Sequence, residues 1–473
     1  MEELLERSAL AQAAALESRE ISAEELMQAV LGRIERENPR VNAIVSLRDG
    51  ERLLAEARAA DRAPRRGWMH GLPIAIKDLA NVAGLPTSMG SPLFAGQIAQ
   101  SDDLMVARMR AAGAIFIGKT NTPEFGLGSH TFNPVHGATG NAYDATRSAG
   151  GSSGGAAVAL ACRMVALADG SDMMGSLRNP AGWNNVYGMR PSWGRVPDQP
   201  EGETFLHPLA TNGPMARCPR DLAALLEVQS GPEPRRPFTL PREAFLRRIE
   251  ADVHGRKLGW LADWGGAYAM EPGILPLIEA ALRDFAAIGV EVELIAPPFD
   301  AARLWQSWLD LRAFANANRL APLYADPARR ARLKPAAIWE VETGQALTVD
   351  AVQEASLIRS QWYAGAAELF QRYDALILPS AQLWPFPVDW VHPAAINGAP
   401  LDTYHRWMEV VVPASLIGLP AISVPAGFGR NGLPMGMQLI GRHGDDLGLL
   451  QLAEAWHQAT DWPNRRPPPA AVG

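Results

Sequence analysis

The chain reads as an alternation of amphipathic helices and short apolar runs. Over residues 1–60 the apolar positions recur at helical spacing. Ser22-Ala23-Glu24-Glu25 has the pattern of a capping box, with Ile21 and Leu26 placed as a hydrophobic staple. That helix is expected to stop near Asn38-Pro39, because proline adds no N–H to the helical ladder. From residue 71 the period changes. Leu72-Pro73-Ile74-Ala75-Ile76 and the run from Ala114 to Ile117 have the length of buried strands. Between them a helix is capped by Ser101-Asp102-Asp103 and runs to about Ala112. Residues 153–162 predict a helix. Strands predicted at 256–261 and 290–295 surround a helix at 272–288, residues 300–370 are helical, and 374–379 and 420–425 return to strand. Residues 229–242, rich in proline and arginine, read as a surface excursion, and residues 465–473 as a loose tail. Strands alternating with helices predict an α/β fold with a largely buried sheet. No internal repeat and no clean linker divides the chain.

Composition narrows the class. The 473 residues are 47% apolar and 20% charged, an ordinary globular balance. A net charge of -7 and the lack of a basic run argue against a nucleic-acid surface. Two cysteines, Cys162 and Cys218, make neither a disulfide framework nor a cysteine zinc cluster, and the nine histidines form no HExxH. The N-terminal stretch is acidic and helical in period, unlike a signal peptide, and no uncharged apolar run reaches the ~20 residues that span a bilayer. The expectation is a cytoplasmic protein without a membrane partner. Of the 44 basic residues only four are lysine: Lys77, Lys119, Lys257 and Lys334. A lysine kept at the end of an apolar run, as Lys77 is, marks a candidate amine base. Buried, it can lose its proton, which arginine cannot. Lys119 is the second candidate.

Three short patterns carry candidate chemistry. Residues 113–120, GAIFIGKT, match the P-loop pattern in letters, but Ala-Ile-Phe-Ile suits a strand rather than an exposed phosphate loop. Gly150-Gly151-Ser152-Ser153-Gly154 matches GxSxG, which would make Ser152 the nucleophile of an α/β-hydrolase esterase. That pattern needs a strand before the serine, and residues 144–149 suit one poorly. Finally, Gly170-Ser171-Asp172-Met173-Met174-Gly175-Ser176 reads as a small-residue turn presenting Ser176 after consecutive backbone N–H groups.

Taken together, the segments 71–91, 111–125, 147–161, 168–182 and 413–441 resemble, in order, those of the amidase signature family, with 200–370 the weakest match. The resemblance implies one large α/β domain over 1–473 with a central mixed sheet covered by helices on both faces. Its parts would be an N-terminal helical segment (1–60), a catalytic core (70–200), a variable substrate-pocket region (200–410) and a return to the core with the tail (411–473). It places the family's catalytic lysine at Lys77, the serine that follows a cis peptide at Ser152, and the nucleophile at Ser176, 24 residues later. Backbone N–H groups of Met173, Met174, Gly175 and Ser176 would hold the oxyanion. Ser153, Ser171, Asp172 and Arg178 would support the site, and Gly126, Leu127, Gly128 and Met174 would border the substrate.

The implied chemistry is acyl transfer from an amide to water, with neither metal nor organic cofactor. The implied partners are a small amide or carbamate and water, and the implied assembly is a monomer or homodimer. Seven of the 14 tryptophans lie between Trp305 and Trp407. That favours bulky or aryl amides, anilides or carbamates, with ester cleavage as a further activity. The family also includes the glutamine-hydrolysing subunit of tRNA amidotransferases, the alternative reading. The chain departs from the family where Met173-Met174 replace Thr-Gly, Trp183-Asn184-Asn185 replace Phe-Cys-Gly, and Arg190-Pro191-Ser192 replace Lys-Pro-Thr.

Overall fold

The short apolar runs join into one mixed sheet. In the computed structural model, which describes residues 2–470, eleven strands among the described residues form it. In chain order they are β1 (Ile44–Val45), β2 (Pro73–Lys77), β3 (Ile115–Thr120), β4 (Leu167–Asp172), β5 (Tyr187–Arg190), β6 (Thr211–Ala216), β7 (Lys257–Trp260), β8 (Glu291–Leu294), β9 (Ala375–Pro379), β10 (Ala421–Phe428) and β11 (Pro434–Ile440). Their spatial order is β1-β3-β2-β4-β6-β5-β10-β11-β9-β7-β8. β2 runs parallel to β3 and β4. The middle from β4 to β9 is antiparallel, and parallel pairing returns at β9-β7-β8. Every residue of β2, β3 and β9 is buried, which is why they read as continuous apolar runs rather than alternating ones.

Helices flank this sheet. Those used below are α1 (Ala23–Val41), α2 (Leu104–Ala111), α3 (Gly154–Ala161), α4 (Arg178–Trp183), α5 (Ala301–Tyr324), α6 (Pro335–Gln345) and α7 (Val349–Leu369). The Ser22–Glu25 capping box is present in both directions. The expected stop at Asn38-Pro39 is corrected: α1 continues through Pro39 to Val41 and ends on Asn42 at φ 50°. Asn38 explains the shift. Its Oδ1 accepts from the N–H groups of Ala43 and Ile44, and its Nδ2 donates to Ile44 O, so the side chain ends the helix and starts β1. α2 begins where expected, but Asp103 makes no bond to its own helix. Asp102 and Asp103 instead accept the N–H groups of Ala83 and Asn81, tying down the loop that follows β2.

Two further expectations change. Residues 170–172 are not a turn but the end of β4. Gly170, Ser171 and Asp172 pair with Gly213, Asn212 and Thr211 of β6, so the sheet imposes an extended backbone on residues of low strand propensity. The tail also begins anchored: Arg466 O accepts from Tyr143 Oη at 2.7 Å. Its last three residues, 471–473, lie outside the described residues. No described helix is long and apolar enough to cross a membrane.

Candidate active site

Lys77 closes β2, and the sheet buries it to 1% exposure. Its Nζ lies 2.8 Å from Ser152 Oγ, 2.8 Å from Ser153 Oγ and 3.0 Å from Ser171 Oγ, with Ser171 O at 3.3 Å. Burial pulls the Lys77 pKa down to about 7, against the nearby carboxylates of Asp169 and Asp172, which raise it. Asp169 also accepts the Lys77 backbone N–H at 2.9 Å. Burial pushes Asp169 up to about 6, opposed by that bond and by the charges of Lys119 and Lys77. Lys119, by contrast, turns away from the serines. It pairs with Asp78 at 3.7 Å and donates to Ala80 O, joining β3 to the loop after β2.

The serines sit on two loops held against each other. The Gly151–Ser152 peptide is cis. Ser129 Oγ donates to Gly151 O, and Ser153 N–H donates to Ser176 O at 3.3 Å. Ser152 and Ser176 are 3% and 6% exposed, so little of either meets open solvent. The glycine run serves close approach. A Cβ at Gly155 would fall 2.3 Å from Asn121 N and 2.5 Å from Ala43 O, so the first turn of α3 lies directly on backbone.

Below Ser176 lies a buried ionic core. Arg178 Nε and Nη2 each donate to Asp172 at 3.0 Å, and Arg190 Nη1 lies 3.3 Å from it. Asp172 also accepts the N–H groups of Gly175 (2.9 Å) and Leu177 (3.2 Å). Burial alone would raise its pKa, but the two guanidiniums hold it well below the carboxylate range. Arg178 continues to Gln438 Oε1 and Ser415 Oγ, both at 2.6 Å. Arg190, singled out in the sequence only as a departure from the pattern it resembles, joins this core, a role the sequence reading did not assign it.

Among the expected oxyanion donors, one N–H is already engaged. The Gly175 N–H is taken by Asp172, which leaves the N–H groups of Met173, Met174 and Ser176 as the remaining candidates. Gly175 has φ +79°, whereas Met174 has no positive φ, so methionine at 174 imposes no strained backbone. Met174 is 2% exposed and packs within the main apolar core, and it is not among the residues lining the large cavity described next. Met173 is the half-buried one of the pair; its Sδ receives Arg312 Nη1 at 3.5 Å.

A cavity of about 850 Å³ lies beside the 124–129 loop. Leu127 and Gly128 line it together with Phe132, Trp339, Tyr404 and Trp407, while Gly126, Ser152 and Ser176 do not. Gly126 instead faces the serines: a Cβ there would lie 3.6 Å from Ser152 Oγ. Of the seven middle tryptophans, Trp305, Trp308 and Trp362 are core, Trp407 is buried at the cavity wall, and Trp339 also lines it. The sequence reading missed the polar cluster behind this wall. Arg312 Nε donates to Glu340 Oε1 at 2.7 Å, Arg312 Nη2 donates to Tyr404 Oη at 2.7 Å, and Tyr404 Oη donates to Glu340 Oε1 at 2.6 Å. Lys334 Nζ donates to Leu127 O at 2.8 Å.

The nucleophile-elbow and P-loop patterns fit the structure poorly. Residues 149–153 before α3 contain no strand, so Ser152 lacks the strand–turn–helix setting of a nucleophile elbow. Residues 115–120 are β3 itself, not a phosphate loop. Among the described residues no three His, Cys, Asp or Glu side chains gather as metal ligands.

Comparison with known proteins bears on the family and the fold. The family model described as Amidase matches residues 25–450. An acylamidase of Rhodococcus erythropolis is 31% identical over 474 residues, covering 98% of each chain. A glutamyl-tRNA(Gln) amidotransferase subunit of Thermus thermophilus is 35% identical over 465 residues, 93% of this chain and 94% of that one. The crystal structure of a bacterial aryl acylamidase of the amidase signature family superposes with a TM-score of 0.90 at 28% identity, over 98% of this chain and 99% of the other. The chain therefore belongs to the amidase signature family, hydrolases that act on carbon–nitrogen bonds.

Proposed function

We propose that the protein hydrolyses bulky or aryl amides, and carbamates of similar shape, through an acyl-enzyme on Ser176. The observation that carries this reading is the buried Lys77 amine, shared among three serine hydroxyls and held near neutrality. A neutral Lys77 Nζ accepts the Ser152 proton. Ser152 Oγ in turn accepts the proton of Ser176, whose Oγ attacks the carbonyl carbon. Main-chain N–H groups of Met173, Met174 and Ser176 receive the oxyanion. Ser152 then protonates the leaving nitrogen, and water cleaves the acyl-enzyme by the same relay. Asp172, Arg178 and Arg190 fix the nucleophile loop from below. Ser153 and Ser171 hold the amine in place.

The aromatic cavity and the likeness to an aryl acylamidase support an aryl or bulky group in the substrate. A panel of p-nitroanilides, aryl carbamates, aryl esters and free glutamine tests the reading. Release of nitroaniline by the wild type and its loss in Ser176→Ala are expected; anilide turnover that survives in Ser176→Ala contradicts it. Similarity to the tRNA amidotransferase subunit favours a second reading, glutamine hydrolysis within a larger assembly. Glutaminase activity without anilide cleavage would establish that reading instead.

A further inference from the structure

We propose that Arg319 and Asn316 form a carboxylate-binding subsite beside the Ser152 loop, so that preferred substrates carry one carboxylate on the acyl or the amine half. The proposal rests on the amide-hydrolase reading and names a substrate class for it. Trp305, Trp308, Arg312, Asn316 and Arg319 recur at three- and four-residue intervals along α5 and so share one face. Arg312 turns that face toward the nucleophile loop through Met173 Sδ. Arg319, about two turns farther on, donates through Nη2 to Phe125 O at 3.3 Å and to Asn316 Oδ1 at 3.2 Å. Phe125 is followed by Gly126, the residue whose added Cβ would stand 3.6 Å from Ser152 Oγ. The guanidinium therefore flanks the loop that faces Ser152.

Around this loop three cations, Arg312, Arg319 and Lys334, face two carboxylates, Glu340 and Glu124. Arg312 is matched by Glu340. Lys334 faces Glu124, whose carboxyl accepts from Ser91 Oγ at 2.7 Å. Arg319 has no carboxylate in ion-pair range among the described residues; the oxygens it meets are a carbonyl and an amide. Arg319 is exposed; desolvation and the Arg312 charge lower its pKa, while Glu340, beyond ion-pair range, and Tyr404 oppose the shift. Asn316 is 1% exposed, and its Nδ2 has no partner. Because Oδ1 is held by Arg319, the amide orientation is set and Nδ2 remains the open end. An arginine with no carboxylate in ion-pair range, beside a buried N–H without an acceptor, is the arrangement one carboxylate satisfies, one oxygen to each.

Two matched substrate pairs test this. Succinic acid monoanilide against butyranilide places the carboxylate on the acyl half; 4-acetamidobenzoate against 4-methylacetanilide places it on the amine half. In one pair the charged member should show kcat/KM about 10- to 100-fold above its neutral partner, carried mainly in KM. That ratio should collapse in Arg319→Met, fall in Asn316→Ala and recover in part in Arg319→Lys. Calorimetric titration of the same pairs into Ser176→Ala reads the subsite without turnover. Preferential binding of a carboxylate that is lost in Ser176→Ala/Arg319→Met supports the proposal, even where no anilide is cleaved. Equal binding within both pairs, or a preference that survives Arg319→Met, overturns it. Neutral anilides cleaved with no charge preference leave the amidase reading standing and this subsite refuted.

Discussion

In the proposed mechanism Lys77 is the residue on which the chemistry turns, and its burial has two measurable consequences. Its pKa is lowered to about 7 by desolvation, so the productive neutral amine forms as pH rises through that value. Activity should climb across pH 6–8 and level off above it. Lys77→Arg should be inactive, because a guanidinium keeps its proton; turnover near wild type in folded Lys77→Arg would contradict the base assignment. The same shift bears on stability. The folded pKa lies below the ordinary lysine value of 10.5, so between about 7 and 10.5 the unfolded chain binds the extra proton, and stability rises with pH in that window. Lys77→Met removes this slope. It should raise the melting temperature more at pH 7 than at pH 10, and an equal gain at both values would show that the amine is not titrating as described. Asp172 behaves in the opposite way: held charged between Arg178 and Arg190, it has no neutral role. Asp172→Asn leaves two buried guanidiniums short of an anion and should cost on the order of 3–5 kcal/mol in denaturant unfolding.

Elements, rather than single residues, decide how the loops meet. Met174 lies inside the apolar core, so Met174→Gly should remove at least about 2 kcal/mol of stability through the cavity it leaves. A shift of acyl-size preference without loss of stability would return Met174 to the substrate pocket. Gly155→Ala should prevent α3 from seating on Asn121 and Ala43, read as a large drop in melting temperature. Much of this site was legible in the chain. The lysine at the end of an apolar run, the glycine-framed Ser152 and the interval to Ser176 are local signals. β2, β3 and α3 were legible because fully buried strands and a small-residue helix leave continuous apolar runs. β4 was not, since Gly170-Ser171-Asp172 is extended only because β6 pairs with it. The Arg312–Glu340–Tyr404 cluster was invisible for a related reason. Its members are 28 and 64 residues apart and meet only when α5 packs on α6 and the segment before Trp407. Lys334 was within reach: three of the four lysines in this arginine-rich chain have depressed pKa values, and it is one of them.

At the scale of the whole molecule, Lys77 and the serines lie in the 70–200 stretch, while the cavity wall is shared between the 124–134 loop and residues 331–407. α5 and α6 reach the core through Met173, Phe125 and Leu127, the residues that flank the two serine loops. In the proposed function, substrate choice is thereby separated from chemistry. Leu401→Trp, which narrows the cavity away from the serines, should raise KM for aryl amides while sparing the turnover of small acyl amides. An equal loss for both would show that the cavity does not hold the aryl group. The account as a whole stands on Ser176 as the nucleophile. The most direct measurement is peptide mass mapping after treatment of the whole protein with an aryl sulfonyl fluoride. One adduct per chain on the peptide containing Ser176, with parallel loss of activity and no labelling in Lys77→Met, is the predicted result. A single adduct on Ser152 would contradict it.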